Sequence, residues 1–216
     1  DDIFKIEYYN RSIDTYLVMH VVPVEWDSEH ELEKVMLIAQ DIGQKHELEN
    51  LANTDGLTGL YNERYFNSIL HKKELQKLPF ILFYLDLDHF KEVNDQLGHM
   101  AGDQVLQETG LILKSVVRST DLSGRLGGDE FVLFIQNAAD RRGLERCAEK
   151  LVSALNRTFS STEYSVTVSA SIGIVPVQGG ESFAQLYEAA DKALYEVKRT
   201  RRNGYQFAAS AAEPVL

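Results

Sequence analysis

The stretch Arg125-Leu126-Gly127-Gly128-Asp129-Glu130-Phe131 places two consecutive glycines and two consecutive carboxylates directly before an apolar run. A Gly-Gly pair is a favoured two-residue hairpin turn, because both central positions can take positive φ. The run that follows, Phe131-Val132-Leu133-Phe134-Ile135, predicts a buried strand. The stretch therefore predicts a rigid hairpin that holds two carboxylates beside a tip without side chains, where a ligand can approach the backbone closely. Two readings stay open for this stretch alone: a surface hairpin, or a site for metal and phosphate.

The amino-acid composition and net charge limit the classes of protein to which this chain can belong. The chain has 216 residues, of which 44% are hydrophobic and 25% are charged, as is ordinary for a soluble globular protein. Its net charge of −11 argues against general nucleic-acid binding, while divalent cations can still bridge its carboxylates to a nucleotide's phosphates. No apolar run approaches the roughly 18 residues of a membrane span, so we expect no membrane contact within this chain.

The single Cys147 excludes an internal disulfide framework and fits a reducing compartment. We expect a buried thiol and a cytoplasmic location, either as a soluble protein or as the cytoplasmic part of a longer, membrane-tethered one. The chain starts at Asp1 without an initiator methionine or a signal-peptide pattern, which indicates a segment cut from a longer protein.

Residues 1–42 contain three β-rich segments, at 3–9, 15–24 and 34–41, although a helix is also possible for the third. They predict a short N-terminal antiparallel β segment, which has little core of its own and which we expect a missing half or a partner chain to cover. Residues 43–53 predict a linker helix.

From residue 54 to 208, predicted strands alternate with helices and include one hairpin at 121–136. This order predicts an α/β domain with a mixed β-sheet covered by helices. We expect residues 209–216 to form a disordered tail. The predicted helices span 63–76, 104–118, 141–158 and 182–199, and the further predicted strands span 80–85, 165–175 (stopped by Pro176) and 205–207.

Acidic residues follow the predicted strand at 80–85. Asp86 and Asp88 are two apart, so both point to one side of an extended chain. With Asp129 and Glu130 on a neighbouring strand, Asp86 can bind one or two Mg²⁺ ions through oxygen ligands. We assign the metal role to Asp86 and expect Asp88 to cap the helix that follows.

Two polar residues and a basic cluster allow both a functional and a purely structural interpretation. Asn94 and Asp103 match the donors and acceptors of a guanine edge, but they also fit a turn asparagine and the N-cap of a helix that starts at 104. The basic cluster fits a phosphate clamp opposite the carboxylates, but helix C-termini also favour cations. Its members are Lys198, Arg199, Arg201 and Arg202.

Spaced motifs between residues 55 and 207 together resemble the GGDEF family of diguanylate cyclases. The N-terminal segment, with its ending Gln40-Asp41-Ile42-Gly43-Gln44-Lys45, resembles the C-terminal half of a PAS sensor domain. The motifs of the first resemblance are Asp55-x-Leu57-Thr58-Gly59-Leu60, Asp86-x-Asp88-x-Phe90-Lys91-x-x-Asn94-Asp95-x-x-Gly98-His99, Gly102-Asp103-x-x-Leu106, Gly127-Gly128-Asp129-Glu130-Phe131, Ser171-Ile172-Gly173 and Asp191-Lys192-Ala193-Leu194-Tyr195.

The resemblance implies that two GTP molecules, one on each subunit of a homodimer, condense head to tail into cyclic di-GMP and two pyrophosphates. Asp86, the Leu87 carbonyl and Asp129 would hold Mg²⁺ or Mn²⁺. Asp129 or Glu130 would help to deprotonate the attacking hydroxyl, and the sequence does not separate the two. The residues that the resemblance assigns to substrate binding are Phe90, Asn94, His99, Asp103, Gly127, Gly128, Lys198 and Arg202.

Arg118-Ser119-Thr120-Asp121, just before the hairpin, is similar to the family's Arg-x-x-Asp inhibitory site. The resemblance implies that cyclic di-GMP binds Arg118 and Asp121 as an inhibitor, with Arg146 or Lys150 as a second cation. An arginine fork can engage either phosphate or a guanine edge.

Two positions depart from the family pattern. Glu63 follows Asn62 where the family usually has arginine, and Arg201 stands where it usually has glycine. The first departure puts local contacts at a dimer in doubt, and the second puts the phosphate clamp in doubt. Two other readings stay open: a catalytically silent module that binds GTP or cyclic di-GMP, and a different nucleotide cyclase, which the complete hairpin signature disfavours.

Overall fold

A computed structural model of the chain describes residues 4–26, 32–70, 80–118, 120–136, 140–177 and 181–208. The chain divides into two compact units, Asp1–Ala52 and Asn53–Leu216. The predicted tail at 209–216 and residues 71–76 of the helix predicted over 63–76 lie outside the described residues. Among the residues described, no helix is both long enough and apolar enough to cross a membrane.

The first unit is a three-stranded antiparallel sheet in the order β1-β2-β3, followed by one helix. This confirms the short N-terminal antiparallel segment and excludes a helix for its third part. The Asp41 carboxylate holds the start of the helix, because it accepts hydrogen bonds from the Thr15 hydroxyl and the Gly43 N–H, both at 2.8 Å. The elements are β1 (Phe4–Asn10), β2 (Thr15–Trp26), β3 (Leu32–Asp41) and α1 (Gly43–Asn53).

The second unit is a mixed sheet in the order β10-β9-β5-β7-β6-β4, with β8 paired to β9. The pairs β4–β6 and β9–β10 are parallel and the others are antiparallel, so the predicted mixed α/β sheet is confirmed. Its elements are β4 (Tyr61–Asn62), α2 (Glu63–Leu70), β5 (Phe80–Asp88), α3 (Phe90–Leu97), α4 (His99–Val116), β6 (Leu122–Gly127), β7 (Glu130–Gln136), α5 (Arg141–Leu155), β8 (Arg157–Ser160), β9 (Ser165–Val177), α6 (Phe183–Thr200) and β10 (Gly204–Phe207).

Strand β5 lies at the centre of this sheet, and every residue of it is buried. Because side chains alternate along a strand, one face carries Phe83 and Leu85 into a core shared with α4 and α5. The other face carries Leu82 and Tyr84 into a second core, formed with α6. This second face becomes acidic at its end, at Asp86 and Asp88.

Helix α6 lies unusually close to the sheet at Gly173. A Cβ on Gly173 would fall well inside van der Waals contact with the Ala190 carbonyl oxygen and 2.9 Å from the Leu194 nitrogen. The absence of a side chain therefore lets α6 cross β9 at backbone distance. This close packing holds the last turn of α6 near the acidic end of β5.

Several predicted bounds differ from the structure. The helix predicted over 104–118 spans His99–Val116, and the strand predicted over 80–85 continues to Asp88. The helix predicted over 141–158 ends at Leu155, and β8 follows it, because residues 157–160 pair with β9. Residues 90–97 form α3, the helix that was expected after Asp88 but was given no bounds. Strand β9 continues through Pro176, which pairs with Ile81, because β10 pairs with β9 only as far as Ile174 and leaves no ladder bond for a proline N–H to make.

Candidate active site

The antiparallel register brings the predicted metal and catalytic residues together at the end of β5. Asp86 stands directly opposite Glu130 on β7. The Leu87 N–H donates to the Asp129 carbonyl oxygen at 3.2 Å, which fastens the hairpin to the end of β5. Three carboxylates and the Leu87 backbone therefore converge here.

Lys198, a cation near the end of α6, lies at the same end of β5. The Lys198 Nζ lies 2.6 Å from an Asp86 carboxylate oxygen, and the Asp86 side chain is only 12% exposed. Burial raises the pKa of Asp86 to about 6, because the opposing effect of Lys198 is partly cancelled by the negative charges of Asp129 and Glu130. The site thus carries more negative charge than Lys198 neutralises.

These donors fit a hard divalent cation. Carboxylate and carbonyl oxygens are the ligands that Mg²⁺ prefers, and it usually keeps waters or substrate phosphates as further ligands. Among the described residues, no three acidic, histidine or cysteine side chains form a ready-made metal cluster. The predicted set of Asp86, Asp129 and the Leu87 carbonyl supplies two carboxylates and one backbone oxygen.

Tyr84 is a neighbour of Glu130 that the sequence analysis missed. Burial raises the pKa of Tyr84, and the negative charge of Glu130 and a hydrogen bond to it raise the pKa further. The Tyr187 ring of α6 meets the Tyr84 ring edge-on, with the centroids 5.5 Å apart. Glu130 therefore lies against the α6 side of the sheet.

The turn of the hairpin lies one residue later than predicted: Gly127 is the last residue of β6 and pairs with Glu130, so Gly128 and Asp129 are the two turn residues. Gly127 has φ 150° and Gly128 has φ 49°, both in the region that favours glycine. Arg125 holds this tip, because its Nε and Nη2 donate to the Gly128 carbonyl oxygen at 3.1 and 2.8 Å. Its Nη1 reaches both Asp55 carboxylate oxygens at 3.2 Å. This contact was not predicted from the sequence, because Asp55 and Arg125 are 70 residues apart.

The predicted capping role of Asp88 is wrong. The residue before α3 is His89, with φ 65° and no capping side chain. Asp88 still belongs to β5, opposite Ser169, so its carboxylate turns toward β9 and accepts from Ser169 and Ser171 at 2.8 Å. The buried carboxylate also accepts from the Asn203 N–H at 3.0 Å. Asp88 therefore anchors the loop after α6.

That loop presents Arg202. The Arg202 Nε lies 3.9 Å from the Asp88 carboxylate, and the Arg202 side chain is 56% exposed. Arg202 and Asn203 have φ values of 49° and 42°, a strained region that the bond to Asp88 helps to hold. Arg201 has a negative φ of −144°, so this position does not require the left-handed backbone that favours glycine.

The other departure also fits its position. Glu63 is the first residue of α2, where an acidic side chain is favoured by the helix dipole. The Asn62 side chain accepts from the Tyr65 N–H at 2.9 Å and so caps the same helix end.

The predicted guanine-reading pair lies across the corner between α3 and α4. Asn94 is inside α3, and Asp103 is in the second turn of α4, which begins at His99. The alternatives of a turn asparagine and an N-cap at residue 103 are therefore wrong. A Cβ on Gly102 would overlap the Asn94 amide oxygen, so Gly102 leaves the space that the amide occupies. Phe90 is half-buried and His99 is exposed at this corner.

Arg118 and Asp121 line a separate cleft of about 390 Å³. The nearly buried Asp121 carboxylate accepts from the backbone N–H groups of Arg118 and Gln136, at 3.0 and 3.1 Å. Arg146 and Lys150, the two candidates for a second cation, both line the cleft. The structure therefore brings all the residues of the predicted inhibitory site together.

Known proteins are similar in sequence to the part of the chain that carries this site. Residues 52–204 match the family described as diguanylate cyclase, GGDEF domain. The chain is 40% identical over 167 residues to the diguanylate cyclase DgcS of Shewanella oneidensis, a match that covers 76% of this chain and 55% of the relative. It is 39% identical over 166 residues to the response regulator PleD of Caulobacter vibrioides, covering 73% of this chain and 36% of the relative.

Solved structures resemble the second unit. The crystal structure of the coiled coil and GGDEF domain of DgcB from Caulobacter crescentus, in complex with c-di-GMP, has a TM-score of 0.66 and 29% identity. That likeness covers 76% of this chain and 90% of the other. The chain spans about half or less of the length of the two curated relatives. From the family match over residues 52–204, we conclude that this chain belongs to the GGDEF diguanylate cyclase domain family.

Proposed function

We propose that the chain is a diguanylate cyclase, which condenses two GTP molecules into cyclic di-GMP and two pyrophosphates. The observation that carries the proposal is the convergence of Asp86, Asp129 and Glu130 beside the glycine tip, with Lys198 2.6 Å from Asp86. Acids, two exposed glycines and cations at one place suit phosphoryl transfer, which proceeds by positioning and charge neutralisation.

Mg²⁺ or Mn²⁺ would be held by Asp86, the Leu87 carbonyl and Asp129. The divalent ion would neutralise phosphate charge during the transfer. Asp129 or Glu130 accepts the proton of the attacking 3′-hydroxyl. Both carboxylates are half-exposed at the hairpin, so both are accessible to substrate.

The nucleotide would lie between the β6–β7 hairpin, the corner between α3 and α4, and the loop after α6. Lys198 and Arg202 hold the terminal phosphates, and the bond from Asn203 to Asp88 keeps the Arg202 loop in place. Asn94 and Asp103 read the guanine edge, with Phe90 and His99 beside it, while Gly127 and Gly128 let the nucleotide approach the backbone.

The product requires two substrates, and the proposed site binds one, so we infer that a homodimer aligns two half-sites. Leu48 and Leu51 of α1 are 67% and 71% exposed and are one turn apart, as expected of a helix that pairs with a second copy. We further infer that the first unit is the C-terminal part of a PAS-like sensor. We also infer a cytoplasmic location, since the half-buried free thiol of Cys147 fits a reducing compartment.

The direct test strips bound nucleotide from the purified chain and incubates it with GTP and Mg²⁺. Chromatography with mass detection then separates the nucleotides. We expect cyclic di-GMP and pyrophosphate. If no product forms, even after a dimerising helix is fused to the N-terminus, the chain is a nucleotide-binding module and the proposal is wrong.

Replacing Arg118 with alanine is expected to relieve product inhibition. Cyclic di-GMP carries two phosphates, and Arg118, Arg146 and Lys150 supply the positive charge of the 390 Å³ cleft. Loss of one charge-assisted hydrogen bond should raise the inhibitory concentration about tenfold or more, measured as initial rates against added cyclic di-GMP. Arg142→Ala, an exposed arginine on α5 that does not line the cleft, is the control. Equal inhibition curves for parent and Arg118→Ala would contradict the site.

Replacing Gly102 with alanine is expected to weaken GTP binding about tenfold, because the new methyl group takes the place of the Asn94 amide. The effect should appear in KM, and the preference for GTP over inosine triphosphate should shrink as guanine contacts are lost. Gly56→Ala is a matched control, since a Cβ there meets no atom within 4 Å. An unchanged KM for Gly102→Ala would contradict the role of Asn94.

A further inference from the structure

Arg125, the largely buried arginine that holds the hairpin tip, has no part in the proposed function as described so far. Its side chain is 13% exposed, and all three guanidinium nitrogens are engaged. Two of them, Nε and Nη2, donate hydrogen bonds to one atom, the Gly128 carbonyl oxygen at the turn of the hairpin. The third is held by Asp55, which is 70 residues away in sequence. An arginine used in this way sets the orientation of one peptide group.

That peptide joins Gly128 to Asp129. In a planar trans peptide the C=O and the following N–H point in opposite directions, and the described chain contains no cis peptide bond. Because the Gly128 C=O points at Arg125, the Asp129 N–H points away from Arg125. Gly128 itself is at φ 49°, and glycine's freedom there would otherwise let the peptide rotate.

We propose that Arg125 is a positioning residue, which aims the Asp129 N–H at a phosphate oxygen of the bound nucleotide, and that Asp55 holds Arg125 in this orientation. This inference rests on the proposed function and deepens it. An oriented backbone N–H is a preorganised donor to an anionic oxygen. The same grip fixes the Cα of Asp129, whose side chain is a proposed metal ligand.

The Asp55 end of the contact is itself rigid. Its carboxylate accepts from the N–H and the hydroxyl of Thr58, at 2.9 and 2.7 Å. Burial alone would raise the pKa of Asp55, but these bonds and Arg125 keep the pKa below its usual value. Asp55 is therefore charged at neutral pH. Lysine cannot replace Arg125, because one ammonium group cannot form the fork that spans the carbonyl and the carboxylate.

The test uses 3′-deoxyguanosine triphosphate with Mg²⁺, which lacks the attacking hydroxyl and therefore binds without turnover. Calorimetry compares the parent with Arg125→Ala, Arg125→Lys and Asp55→Asn. Arg142→Ala, an exposed arginine on α5, is the matched control. Guanosine, measured as a competitor, reports the base and sugar contacts without phosphate. Hydrogen exchange of the peptide that contains residues 126–131 is measured without nucleotide.

We expect Arg125→Ala to bind the triphosphate about tenfold more weakly, with guanosine affinity unchanged and with faster exchange at 126–131. Arg125→Lys should recover little of the lost affinity. The affinity of Asp55→Asn for the triphosphate should lie between those of Arg125→Lys and the parent. Equal losses for triphosphate and guanosine, full rescue by lysine, or unchanged exchange would overturn the inference. If the parent binds no triphosphate but Arg125→Ala still speeds hydrogen exchange at 126–131, the proposed function is wrong. The role of Arg125 in orienting the Gly128–Asp129 peptide is then retained.

Discussion

Replacement of Asp129 by asparagine is expected to lower the rate of cyclic di-GMP formation by about 10³-fold or more while the fold survives. Asp129 would contribute both a metal ligand and negative charge at the reacting atoms, and asparagine keeps the size but not the charge. The residue is anchored to β5 through its backbone carbonyl, which accepts from the Leu87 N–H. The substitution retains that anchor, so the loss should appear in kcat and not in the urea midpoint.

The measurement is the steady-state rate of product formation with saturating GTP and Mg²⁺, alongside a Glu130→Gln variant. Glu163→Gln, an exposed acid in the loop between β8 and β9, is a control for loss of one negative charge. If Asp129→Asn turns over within tenfold of the parent, the metal assignment is wrong. If Glu130→Gln alone abolishes turnover while metal binding persists, Glu130 is the base.

The second large effect is on stability. Asp88→Ala is expected to lower the free energy of unfolding of the second unit by about 3 kcal/mol. The substitution leaves the Ser169 and Ser171 hydroxyls and the Asn203 N–H without their buried acceptor. The loop that holds Arg202 at φ 49° also loses its anchor, so phosphate binding should weaken as well.

Urea denaturation can follow the two units separately. The single tryptophan of the chain, Trp26, belongs to β2 of the first unit. The urea midpoint measured from its fluorescence should therefore be the same for Asp88→Ala and the parent. The circular dichroism of the helices reports mainly on the second unit and should show the lower midpoint. Ser169→Ala removes one donor and should have an effect of about 1 kcal/mol. A midpoint for Asp88→Ala equal to the parent's would contradict the anchoring role.

The amino-acid sequence by itself determined the local features. The apolar run before Asp86 made β5 a buried strand, and the pair Gly127-Gly128 predicted a hairpin with positive φ at both glycines, although the turn itself lies at Gly128 and Asp129. The period-two alternation of β5 placed Asp86 and Asp88 on one face. Those features were sufficient to predict the α/β sheet and the meeting of Asp86 with the hairpin.

Only the tertiary structure decided which groups the buried Asp88 carboxylate pairs with. Asp88 can cap a helix or accept bonds from a neighbouring strand, and Ser169 and Ser171, more than 80 residues later, decide for the strand. Arg125 meets Asp55 across 70 residues of sequence, and Gly102 matters because α4 turns back on Asn94. A buried carboxylate takes whichever donors the packing brings to it, because an unpaired buried charge costs more than any local preference supplies.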